Sequence, residues 1–257
     1  MIVTDYLYHA PGKNYTPGHM HLRKSAVVNA HTLAFICLRC SADVDTSLPG
    51  PDGRGGISIH ADTQKVYLWQ CLLHSSPKIL EELKHTEDRY IKNKDDIEAA
   101  LLTNKIFPWA ALTRLQAPKL FSDLIESLLG AIYLDSDGNF EVIREVLQTM
   151  GIWPILEHIV KDNVDVFHPV SRIYKWAHKT FPHWAKEKGA PPPVQFCFDR
   201  DKSANTITCA LLIQDVEEFQ VTIDYHGHAS QNDAKFAVAE LAIRELQLRE
   251  RGEGGHN

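Results

Sequence analysis

Nowhere does the sequence stay apolar for the roughly 20 residues that a membrane-spanning helix needs, so no span is expected. Met1 to Tyr8 offers no basic segment and no small-residue cleavage site, and a secretory signal is not expected either. Cysteine is sparse: Cys37, Cys40, Cys71, Cys197 and Cys209 are an odd set scattered over 257 residues. That distribution fits reduced thiols in the cytoplasm or nucleus rather than a disulfide framework. A basic surplus is also missing, with 27 Lys/Arg against 33 Asp/Glu and a net charge of −6. Proteins that hold nucleic acid gain affinity by neutralising phosphates, so composition alone argues against that class unless a local patch carries the contact. What is present is ordinary for a globular chain, 44% hydrophobic and 23% charged, and long enough for one large domain or two modest ones.

Apolar spacing predicts a helix over Met1–His9, then a Pro/Gly loop, then a helix from His21 to Leu38. Leu48–Gly56 reads as an irregular surface loop, Lys65–Leu73 as strand or short helix, and the polar stretch Lys84–Ala100 as a solvated insertion. The clearest helix is Pro118–Leu134, where Leu120, Phe121, Leu124, Ile125, Leu128, Leu129 and Ile132 form one apolar face. Turn residues from Asp135 to Asn139 end it, and helices over Phe140–Met150 and Trp153–Val160 follow. Lys161–Val166 reads as a linker. Beyond it the pattern changes to a helix over His168–Phe181, strands over Val194–Phe198, Thr206–Gln214 and Glu218–Tyr225, and a helix over Asp233–Arg249. The expected architecture is therefore mainly α: an all-helical domain over 1–160, then a small α+β domain of order α-β-β-β-α over 166–250.

Asp123 and Glu126 stand three apart on the clearest helix, so both carboxylates project from one side. Hard oxygen donors at that spacing suit Mg²⁺ or Mn²⁺, although an isolated D-x-x-E is more often a solvated helix face. The surrounding residues decide the matter. Pro118-Lys119-Leu-Phe-Ser-Asp123-Leu-Ile-Glu126-Ser-Leu-Leu-Gly130-Ala131-Ile-Tyr133-Leu-Asp135 resembles the second signature of the ribonuclease III family, and its Pro-Lys opening is most like the second nuclease domain of Dicer-type enzymes. Upstream, His21 to Asn29 with Leu33-Ala34 is similar to the family's L-R-x-x-L-V-N-x-x-L-A helix. The α-β-β-β-α segment ending in Ala234-Lys235-x-Ala237-x-Ala239-x-x-Ala242 is similar to a double-stranded-RNA-binding domain.

The resemblance implies Mg²⁺- or Mn²⁺-dependent hydrolysis of duplex RNA, with Asp123 and Glu126 as metal ligands and catalytic residues, Glu126 foremost. Lys119, one turn earlier, would stabilise phosphate charge or orient the carboxylates, against the plainer reading of a surface ion pair. Asn29 falls on a family position near the cleft, against that of a surface asparagine. The partners implied are double-stranded RNA and a second ribonuclease III domain, in a longer chain or as a second copy. A non-catalytic RNA-binding or structural protein of the same fold is the alternative.

Two departures from the family pattern bear on activity. The first signature, E-R-L-E-F-L-G-D, would align just before Met1, so this chain is expected to hold half of a metal site and to cleave duplex RNA no more than weakly on its own. The final helix carries Gln231-Asn232-Asp233-Ala234-Lys235 where the family has a lysine-rich run, and Val166–Asn257 holds 11 Lys/Arg against 12 Asp/Glu. Lys235, Arg200, Lys202 and His228 are the RNA contacts expected there, although exposed turn histidines beside Gly227 are a plainer account of His228. Cys37-x-x-Cys40 and Cys71-x-x-His74 have zinc-ligand spacing, but Cys37 sits on an apolar stripe, which favours a buried thiol.

Overall fold

The structure, a computed structural model, describes residues 1–45, 63–73, 76–182, 192–214 and 216–253. The loop expected at Leu48–Gly56 and the zinc candidate His74 lie outside the described residues.

Three helices open the chain: α1 (Ile2–Tyr8), α2 (Pro17–Val27) and α3 (Ala30–Arg39). The single helix expected over His21–Leu38 is in fact two, and Asn29 is the reason. Its side-chain oxygen accepts the amides of His31 and Thr32 at 2.9 and 3.0 Å, while its Nδ2 donates to the Ala26 carbonyl at 2.7 Å. Asparagine serves better at a helix start than inside one, so the chain bends where that cap forms. Strands β1 (Ser41–Asp45) and β2 (Thr63–Tyr67) pair antiparallel, and a 3-10 turn over Leu68–Cys71 follows. Lys65–Leu73 is thus strand and then turn.

Helix α4 (Pro77–Thr103) corrects the solvated insertion expected over Lys84–Ala100. Leu83, Thr86, Tyr90, Ile97 and Leu101 are buried at steps of three, four and seven, so a narrow inward stripe is enough to seat a helix whose other faces are charged. Helices α5 (Trp109–Thr113), α6 (Leu120–Asp135), α7 (Phe140–Thr149) and α8 (Ile152–Lys161) complete the helical part. Its core holds Leu7, Phe35, Ile36, Ile97, Phe107, Leu112, Phe121, Ile125 and Leu156. Between α7 and α8, Gly151 has φ +78°, and a Cβ there would collide with the Arg39 guanidinium. The arginine needs that space, because it donates to the Met150 carbonyl at 2.7 Å and to Glu98 at 2.6 Å.

The remaining elements are α9 (Pro169–Thr180), β3 (Val194–Asp201), β4 (Thr206–Ile213), β5 (Val216–Asp224) and α10 (His228–Glu253). The three strands form one antiparallel sheet in the order β3-β4-β5. Strand β4 alternates, burying Ile207, Cys209, Leu211 and Ile213 under Ile173, Ala177, Ala234, Val238 and Ala242 of the two helices. The α-β-β-β-α order and the mainly helical fold class are as the sequence indicates, but α10 starts at His228, five residues before the expected Asp233.

Lys161–Val166 is not a free linker. Asp165 forms a parallel bridge with Ile106, donates its amide to the Lys105 carbonyl at 2.8 Å and pairs with Arg172 at 2.8 Å. Val164 and Val166 are buried. Farther along, Phe236 of α10 joins the helical core rather than the one beneath the sheet. Its ring lies 4.4 Å from that of His168 and 6.4 Å from that of Trp109.

Candidate active site

Helix α6 begins at a turn rather than at a capping side chain. Lys119 is its N-cap, and the Lys119 carbonyl accepts the Asp123 amide at 3.1 Å and the Ser122 hydroxyl at 2.7 Å. Phe121, Ser122 and Ile125 are buried against the core, which turns Asp123, Glu126, Ser127, Gly130 and Ala131 away from it. The apolar face expected for this helix is only partly covered, with Leu120, Leu124, Leu128, Leu129 and Ile132 half-buried; Leu134, outside that face, is 77% exposed.

Lys119 Nζ donates to Asp123 Oδ1 at 2.5 Å. The bonded Asp123 carboxylate holds the ammonium above the usual lysine value, and Glu126 adds to the effect. Lys119, Asp123 and Glu126 thus lie within about two turns at the start of one helix, with the Lys119 ammonium bonded to the nearer acid. Among the described residues, no three His, Cys, Asp or Glu side chains gather into a metal-holding group. The pair still suits a hard divalent ion, because Mg²⁺ is commonly held by one or two carboxylates together with water and substrate phosphates. Asn29, by contrast, spends its side chain on capping α3 and bridging it to α2, a structural task.

The expected RNA contacts fall on the C-terminal sheet and helix. Arg200 lies 3.7 Å over the Tyr225 ring and Lys235 Nζ 4.9 Å over the Phe196 ring. Lys202 is exposed in the turn after β3, and His228 opens α10. Of the zinc candidates, Cys37 is fully buried and its thiol is pushed up to about 12 by burial, with Cys40 contributing, opposite to what a thiolate ligand needs.

Sequence reasoning did not single out Gln116, which lies just before α6. Its Nε2 donates to Asp233 Oδ2 at 3.0 Å and its Oε1 accepts from the Ser230 hydroxyl at 2.7 Å. A second polar contact reaches α10 from the helical part, where Ala110 at the start of α5 donates its amide to Glu240 at 3.1 Å. Burial raises the carboxyls of both Asp233 and Glu240 above their usual values.

Residues 1–137, which include α6 in full, match the ribonuclease III domain family. The chain belongs to the ribonuclease III family. Its curated relatives in that family include the Dicer-like protein 2 of Coccidioides immitis, 32% identical over 174 residues that make up 67% of this chain and 12% of the relative. That of Aspergillus oryzae is 33% identical over 171 residues, 66% of this chain and 12% of the relative. The Dicer-like protein 2 of Neosartorya fischeri is 26% identical over 249 residues, 96% of this chain and 17% of the relative. The ribonuclease III chain thus spans between about an eighth and a sixth of the length of these fungal relatives. Among its described residues, no helix is long and apolar enough to cross a membrane.

Proposed function

We propose that the chain is a double-stranded-RNA endoribonuclease unit that depends on Mg²⁺ or Mn²⁺, with Asp123 and Glu126 as its metal-binding carboxylates. The observation that carries this reading is the placement of both acids beside Lys119 on the outward side of α6, the helix within the family match that bears the signature. Bound there, a divalent ion supplies charge neutralisation at the phosphate and a more acidic water. The protein's own part is positional. Burial of Phe121 and Ile125 fixes the rotation of α6, so that Asp123 and Glu126 face outward together, and Lys119 adds a positive charge near an incoming phosphate.

A second ribonuclease III domain is the proposed protein partner. The uncovered side of α6, with Ser127, Gly130 and Ala131 flanking the acids, has small side chains that allow close approach, and Leu134 offers apolar surface. Lys235, Arg200, Lys202 and His228 are proposed as contacts to RNA backbone. The proposed compartment is the cytoplasm or nucleus, in keeping with five free cysteines.

The test is cleavage of long duplex RNA as Mg²⁺ is added, by the chain alone and by the chain joined to a second ribonuclease III domain. Glu126→Gln is expected to lower cutting by roughly 100-fold or more in the joined form. Because Glu126 is exposed, its melting temperature should stay within the small range typical of surface changes. Duplex RNA bound without cleavage under every condition would favour the non-catalytic alternative. Cutting that ignores Glu126 would overturn the assignment of the acids.

A further inference from the structure

The turn that leads into α6 is held from two sides. Arg89 of α4 donates to the Leu115 carbonyl at 3.2 Å. The next residue, Gln116, has φ +46°, a left-handed backbone that residues with side chains seldom adopt. Its amide is used at both ends, by Asp233 and by Ser230 in the first two turns of α10. Ser230 is fully buried and Asp233 is 6% exposed. Ser230 Oγ also accepts the His226 amide at 2.8 Å, which ties the end of the sheet to the same point. Only Ala117 and Pro118 separate Gln116 from Lys119, and proline stiffens that short connection.

We propose that Gln116 is a positioning residue: through it, the first turns of α10 set where Lys119, Asp123 and Glu126 stand. The inference rests on the proposed role of those acids. It makes the C-terminal unit part of the apparatus that places them.

The chemistry of the contact supports this over plain adhesion. The aromatic packing of Phe236 against Trp109 and His168 already joins the two units. A buried carboxylate adds a desolvation cost that an apolar contact would avoid, and what it returns is geometry, since a carboxamide between an acid and a hydroxyl accepts one arrangement only. Asp233 does not stand alone in charge: Arg114 and Arg89 face it.

A reversal of bond polarity tests the proposal. Gln116→Glu sets two carboxylates against each other, whereas Gln116→Glu with Asp233→Asn restores a donor–acceptor pair and leaves Ser230 its acceptor. Two quantities are measured, amide hydrogen exchange and Mn²⁺ affinity by titration. Gln116→Glu should speed exchange in the first turns of α6 and α10 together by about tenfold and weaken Mn²⁺ binding several-fold. The double variant should return both to near the parent values, which a loss of general stability would not do. Ser230→Ala, which removes one of the two Gln116 bonds together with the acceptor of the His226 amide, should move the same two turns less, and serves if Gln116→Glu does not fold.

Faster exchange in α10 with the first turn of α6 unchanged would overturn the proposal, as would failure of the double variant to rescue. Mn²⁺ affinity is read on the chain joined to a second ribonuclease III domain; if that form binds no Mn²⁺, the metal-site reading fails, and exchange in α6 still decides whether Gln116 positions the helix.

Discussion

Replacing Phe236 with alanine removes a ring that α10 carries but the helical core buries. The ring is 7% exposed and lies 4.4, 6.0 and 6.4 Å from the rings of His168, His31 and Trp109. Truncating a buried phenylalanine costs the transfer of the ring plus the cavity left behind, roughly 3–5 kcal/mol. The low end applies here, because the two sides of an interface can close on a gap more readily than a core can. A loss of about 3 kcal/mol raises the population of separated units by roughly two orders of magnitude. The core beneath the sheet does not include Phe236 and survives the change, so separation and unfolding should become distinct events. The Trp109 indole, which donates to the Val166 carbonyl at 3.3 Å, reports on the boundary. In a urea titration followed by NMR, its N–H signal should shift before the far-ultraviolet circular dichroism of the sheet and helices is lost. A loss below about 1 kcal/mol with coincident transitions would refute the reasoning, since Phe236 would then contribute no sealed contact.

Three further outcomes are expected. Burial raises the Asp233 carboxyl above its ordinary 3.8, so the stability linked to this group is present below 3.8 and is lost as pH rises through the raised value. Asp233→Asn, which keeps an acceptor for Gln116, should therefore raise the melting temperature at neutral pH, with the gain vanishing below pH 3.8. His31 and His168, lowered by burial, have the opposite sense: their contribution is complete above 6.5 and is lost as pH falls through their lowered values. Gly151→Ala should lower stability by about 1–3 kcal/mol in thermal unfolding, from left-handed strain and from displacing the Arg39 guanidinium off Met150 and Glu98. An unchanged melting temperature would show that Arg39 moves aside without cost.

The fold class and α6 were legible because each rests on local signals, a dense apolar period and a signature with unusual residues at fixed offsets. Helix α4 was not. Its buried positions, Leu83, Tyr90, Ile97 and Leu101, are diluted among lysines and aspartates, and average polarity hid the stripe. The break at Asn29 was missed because an apolar pattern on both sides of a cap can look continuous. Asp233 was noticed, but only as a lysine the family pattern would have there. Its partner is 117 residues away in sequence, and no local pattern reports a pairing of that kind. The same holds for Lys161–Val166, whose polar surface residues hide two buried valines and a backbone bridge to Ile106.

That bridge bears on any attempt to divide the protein. A polypeptide stopped at Val166 would keep every helix that carries the acids, yet it would lose the cover that His168 and Phe236 give Trp109 and leave the amide of Ala110 facing water. Such a fragment would present a fresh sticky patch where the whole chain has an interior, and should self-associate as its concentration rises.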